Sequence, residues 1–198
     1  MTGTPGRPLS SELSVQLLSV AVDILAEDGW SRLNSDRIAA RARAGKAGIY
    51  RRWPSMPALV REALASFTLV PPPGDTGSLR GDLRQLVQRF TAPLDREERA
   101  AAGLVGAARH DEELRAGLEA ALTKPLAQAV ADIAGSAAGR GEPIAPERLA
   151  LLTSTLEAFW WQRYTAVGDG AMSEERVTGL VDEVLLPIVG ATVETATV

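Results

Sequence analysis

Residues 34–55 read NSDRIAARARAGKAGIYRRWPS. Asn34 can cap a helix over Ser35–Ala42, which turns Ile38 and Ala39 inward. A second short helix fits Lys46–Arg52, with Ile49 inward, and Pro54 and Ser55 stop it and restart the chain. Two short helices joined by a three- or four-residue turn, with basic residues around the second, match a helix-turn-helix. In that motif the first helix braces the second, whose N-terminal half and outer face can enter a major groove.

Working outward, Leu17, Leu18, Ala21, Ile24 and Leu25 recur at helical spacing before Asp28 and Gly29 close the segment. Downstream, Met56–Leu69 carries Leu59, Val60, Ala63, Leu64 and Phe67 and reads as a fourth helix. Pro71, Pro72, Pro73 and Gly74 cannot continue it, so a domain boundary is expected there. Beyond the break, helices are expected over Ser78–Leu94, Asp95–Arg109, Asp111–Ala138 (kinked at Pro125), Glu147–Val167 and Ser173–Val189. Alternating β-branched runs are absent. The expected fold class is all-α, with about nine helices: a Gly/Pro/Thr-rich flexible arm over 1–10, a helix-turn-helix domain over 11–70, and a helical bundle over 75–198.

The chain has 198 residues and a net charge of −4, which taken whole argues against nucleic acid. The charge is unevenly spread. Residues 1–62 carry +3 and the remainder −7, and the stretch Arg32–Arg52 alone carries +6. DNA contact is therefore expected only at the N-terminal end, because the acidic remainder would repel phosphates. There is no cysteine, which removes disulfides, thiolate metal sites and cysteine nucleophiles. The one histidine, His110, cannot build a two-His zinc site, and no phosphate loop follows a strand. Neither an enzyme, a metal nor a cofactor is expected. No apolar run approaches 18 residues and Met1–Ser10 lacks an apolar core, so a cytoplasmic protein without membrane contact is expected.

Trp30-Ser31-Arg32-Leu33-Asn34, Arg37-Ile38-Ala39-Ala40 and Gly45 through Ser55 strongly resemble the DNA-binding domain of the TetR (tetracycline-repressor-like) family of transcriptional regulators. The resemblance spans about residues 11–65 at motif level. It implies DNA-binding positions at Asn34, Arg43, Gly45, Lys46, Ala47, Gly48, Tyr50, Arg51 and Arg52. Lys46 and Tyr50 match phosphate-contacting positions, and Ala47 an exposed position that often meets base edges. Four residues depart from the pattern. Arg43 replaces the turn glycine, at a cost of about 1 kcal/mol if that position is left-handed. Gly45 replaces a Ser or Thr cap, Gly48 a threonine, and Met56 a lysine. Arg7 stands where a flexible arm could reach a minor groove.

The resemblance further implies a C-terminal domain that dimerises through its last two helices and holds a small-molecule effector. Dimer-interface candidates are Leu156, Phe159, Trp160, Val177, Leu180, Val181, Val184, Leu185 and Ile188. Effector-binding candidates are Phe67, Phe90, Arg109, His110, Trp160 and Tyr164, with Arg163 a further polar contact. Adjacent helical residues point about 100° apart, so Trp160 and Trp161 cannot face one core; one of them is expected at the dimer interface. A two-fold homodimer would place two recognition helices about 34 Å apart on palindromic double-stranded DNA. The implied function is a repressor released by its effector, with an activator the alternative.

Overall fold

The computed structural model describes residues 11–190. They form α1 (Ser11–Asp28), α2 (Ser35–Ala42), α3 (Lys46–Tyr50), α4 (Met56–Leu64), α5 (Leu79–Val87), α6 (Arg96–Ala102), α7 (Val105–Ala108), α8 (Glu112–Leu118), α9 (Lys124–Gly139), α10 (Pro146–Thr165), α11 (Glu174–Gly179) and α12 (Leu186–Val189). No strand occurs among the described residues. None of their helices is long and apolar enough to cross a membrane. The expected arm over 1–10, with Arg7, lies outside the described residues.

The N-terminal helices close around Leu17, Ile24, Ile38, Ile49 and Leu59, all fully buried. Asn34 Oδ1 caps α2 by accepting from the Arg37 amide at 2.9 Å, and Ser55 Oγ caps α4 from the Ala58 amide at 3.1 Å. Trp53 lies in this core with its indole N–H spent on Glu62 at 2.7 Å.

Several helices end earlier than periodicity predicts. The fourth stops at Leu64 rather than Leu69. The polar backbone of the following strap is satisfied from a distance: Arg89 Nη1 donates to the carbonyls of Thr68 and Leu69, and Glu97 accepts from the Thr68 amide. The span Ser78–Leu94 is helical as α5 to Val87 and then tightens into a 3-10 turn over Gln88–Thr91. The span Asp95–Arg109 splits into α6 and α7, so that, with α8–α9 and α11–α12 each counted as one continuous run, the described residues form ten helical runs where about nine were expected. An Asp95–Glu98 capping box opens α6.

The kink expected at Pro125 takes a specific form. Glu119–Thr123 makes a π-helical turn between α8 and α9, and Leu180–Leu185 makes another between α11 and α12. Each turn is followed within two residues by a proline, Pro125 and Pro187. Proline has no N–H to give the carbonyl four residues back and its ring collides with it. Widening the preceding turn relieves both problems.

Two glycines set the N-terminal helices against the rest. A Cβ on Gly103, just after α6, would lie 2.9 Å from the Leu25 carbonyl oxygen and 3.2 Å from Gly29 Cα. The Gly103 carbonyl accepts from the Trp30 amide at 3.3 Å. On α8, a Cβ at Gly117 would lie 2.8 Å from Leu64 Cδ1 of α4. Arg96 adds an ion pair to Asp23 at 2.6 Å and a hydrogen bond to the Ser19 carbonyl. So α6 packs on α1, and α8 on α4.

Deeper in the body, Arg163 of α10 is fully buried against Glu98 of α6, 3.2 Å away. Its remaining donors reach the carbonyls of Phe90, Ala92 and Gly170. A buried charge needs this complete a set of partners.

Candidate nucleic-acid interface and ligand cavity

The turn between α2 and α3 is closed by paired backbone bonds. The Arg43 amide donates to Ala40 O at 3.3 Å, and the Ala44 amide to Ala39 O at 2.9 Å. Arg43 occupies the left-handed region, φ 51 and ψ 42. Among the described residues it is the one non-glycine there. The glycine departure therefore carries the conformational cost expected of it. Gly45 starts α3 with no side-chain cap.

Arg43, Gly45, Lys46, Ala47, Tyr50 and Arg51 are exposed together on and around α3. Tyr50 is 55% exposed, and its hydroxyl lies 3.0 Å from Ser35 Oγ, beside the N-terminus of α2 and its Asn34 cap. Gly48 and Arg52 are placed differently. Gly48 is buried. Arg52 turns inward, donating from Nε to Ser14 Oγ of α1 and from Nη1 to the Gly48 carbonyl, each at 2.8 Å. It ties the recognition helix to α1 and leaves Arg51 as the exposed arginine of the pair.

The basic stretch is partly neutralised from within. Arg41 makes a two-point bond to Glu27 of α1 at 2.7 and 2.8 Å, Arg37 pairs with Asp28, and Lys46 pairs with Asp36. Hydrogen bonding from Arg41 holds the Glu27 carboxyl below its ordinary pKa. Among the described residues, Arg32, Arg43 and Arg51 hold no ion pair and remain available to phosphate.

The six effector candidates do not converge on one site. Phe90, Trp160 and Tyr164 meet in the closed core. The Phe90 and Trp160 rings pack edge to face with centroids 4.6 Å apart. Trp160 Nε1 and Tyr164 Oη are both buried without a hydrogen-bond partner. Burial drives the Tyr164 phenol pKa far above its ordinary value. Phe67 is half-buried after α4, and His110 is exposed after α7.

Arg109 lines an open cavity of about 380 Å³ beside α7, α8 and α10. The other walls are Val105, Ala108, Arg115, Leu118, Glu119, Thr123, Glu157 and Trp161. Thr123 comes from the π-helical turn. Glu157 Oε1 accepts from Thr123 Oγ1 at 3.1 Å and from Trp161 Nε1 at 3.2 Å. Periodicity did not single out Thr123, Glu157 or Trp161. The adjacency of the two tryptophans was the available signal: Trp160 takes the core and Trp161, half-buried, the cavity.

Of the dimer candidates, Leu156, Trp160, Val177, Leu180, Val181 and Leu185 are buried within their own chain. Phe159 of α10, Val184 of the π-helical turn and Ile188 of α12 are half-buried. On α10, Ala158 and Leu151, the latter 50% exposed, also face solvent.

Comparison with known proteins agrees with this architecture. Residues 17–63 match the family described as bacterial regulatory proteins, tetR family, and residues 73–184 match the tetracyclin repressor-like C-terminal domain. The DNA-binding transcriptional repressor TetR of Mycobacteroides abscessus is 33% identical over 187 residues, covering 89% of this chain and 93% of that one. The HTH-type transcriptional regulator YdeS of Bacillus subtilis is 34% identical over 116 residues, covering 58% and 59%. In three dimensions GusR of Salmonella enterica superposes with a TM-score of 0.71 at 14% identity, covering 94% of this chain and 99% of that one. The Mycobacteroides abscessus and Bacillus subtilis relatives are transcriptional regulators by name, and both family matches are to regulator families rather than enzymes. On the helix-turn-helix, the all-helical body behind it and these matches together, the chain belongs to the TetR family of DNA-binding transcriptional regulators.

Proposed function

We propose that this chain is a cytoplasmic repressor that binds a palindromic operator as a homodimer and is released by a small-molecule effector. Residues 11–70 form the DNA-reading unit and 75–198 the effector and dimer unit. One observation carries the reading: Arg43, Lys46, Ala47, Tyr50 and Arg51 stand exposed together on and around a short helix that Arg52 and Ile49 hold to the core. Lys46, Tyr50, Arg51 and the capped N-terminus of α2 grip phosphates, and Ala47 faces base edges. Asn34, Gly45 and Gly48 shape this surface.

Dimerisation uses the exposed side of α10, the second π-helical turn and α12, through Leu151, Ala158, Phe159, Val184 and Ile188. The assignment as a repressor is supported by the Mycobacteroides abscessus relative, a DNA-binding transcriptional repressor. The effector enters the cavity at Arg109 and Trp161. It favours a state in which the two recognition helices no longer match the groove spacing. Gel retardation on the promoter region of the protein's own gene, over a salt series, tests the reading. A sequence preference and a steep loss of affinity with salt are expected. Equal binding to any duplex would overturn it.

A further inference from the structure

The cavity beside Trp161 has a sign of charge that the resemblance does not supply. We propose that it takes a lipophilic organic cation: an amine, guanidinium or quaternary centre carried on a bulky apolar body. The inference rests on the reading of this cavity as the effector site.

Glu157 decides the sign. It is half-buried, and one oxygen is pinned by Thr123 and Trp161. Among the described residues no lysine or arginine pairs with it, and Oε2 has no donor. The other charges around the cavity are better served. Glu119 pairs with Lys124 and Arg115 with Glu112, each at 3.6 Å. Arg109 is exposed to water, which screens it. A partly desolvated carboxylate without a counter-ion gains most from a charged ligand, because water screens it least.

The walls fit the same class. Val105, Ala108 and Leu118 give an apolar floor, and 380 Å³ suits a small molecule. Trp161 spends its indole N–H on Glu157 and packs edge to face on Tyr164, with centroids 6.2 Å apart. An aromatic system fixed beside a carboxylate attracts a cation by its ring quadrupole and repels an anion.

Tetraphenylphosphonium and tetraphenylborate test the sign, being nearly equal in shape and opposite in charge. Titration calorimetry on the full chain without DNA should show at least tenfold tighter binding of the phosphonium ion. Glu157→Gln retains an oxygen for Thr123 and Trp161 and removes only the charge. It should weaken phosphonium binding at least tenfold and leave tetraphenylborate unweakened. Equal binding of the two ions, no binding of the cation, or a folded Glu157→Gln variant that binds it undiminished would each overturn the proposal. Should that variant not fold, the comparison of the two ions on the unaltered chain decides alone. Gel retardation with the phosphonium ion then separates the two readings. Glu157-dependent binding that leaves the operator complex intact keeps the ligand class and removes the effector role.

Discussion

Arg43 holds a left-handed conformation that a glycine adopts freely, and its side chain is exposed beside the recognition helix. These two facts predict opposite responses to one change. Arg43→Gly should raise stability in urea melts by about 1 kcal/mol. It should also flatten the salt dependence of operator binding by about 0.9 in log–log slope, one phosphate contact. A more stable variant with unchanged affinity and slope would remove Arg43 from the DNA contacts. Tyr164 gives a second residue-scale case. Its hydroxyl is buried and unpartnered, so Tyr164→Phe should be neutral or stabilising by up to about 1 kcal/mol in thermal melts. A loss of that size would reveal a hidden partner. The departure at Arg43 and its cost are legible in the sequence, because the turn marks them; whether Trp160 or Trp161 meets the core is not, because it depends on which helices pack against α10.

At the scale of elements, α2, the turn and α3 could be read in advance because their signals are local: the Asn34 cap, the Ile38 and Ile49 spacing, and the Pro54 stop. The end of α4 at Leu64 could not, because the groups that satisfy the following backbone, Arg89 and Glu97, lie twenty or more residues away from it. The split at Gly103 was likewise hidden, since its cause is the close approach of α1. That approach makes a prediction. Gly103→Ala places a methyl 2.9 Å from the Leu25 carbonyl, against backbone that cannot swing aside. It should cost about 1–3 kcal/mol of stability. It should also alter operator affinity although Gly103 lies outside the recognition helix. Urea melts and gel retardation on the same variant measure both effects.

For the molecule as a whole, stability and pH are linked through a buried carboxylate on α5, Asp82. Burial alone would raise the pKa of Asp82, but hydrogen bonds from Thr76 Oγ1, the Thr76 amide and Arg140 outweigh it and hold it below its ordinary value. A carboxyl lowered in this way stabilises the fold above the unfolded pKa, about 3.9. That contribution disappears as pH falls through the folded value. Unfolding free energy should therefore drop as the solution is acidified below about pH 4, and Asp82→Asn should flatten the drop. An equally steep drop in the variant would assign the acid sensitivity to other carboxyls.

At the same scale the chain divides electrically, a basic tip before an acidic body, and the proposed function requires that tip to be doubled. Hydroxyl-radical footprinting on the protein's own promoter region tests that most directly. The account predicts two protected patches related by a dyad, their centres about 34 Å apart along the duplex. A single patch, or protection spread evenly along any sequence, would contradict it.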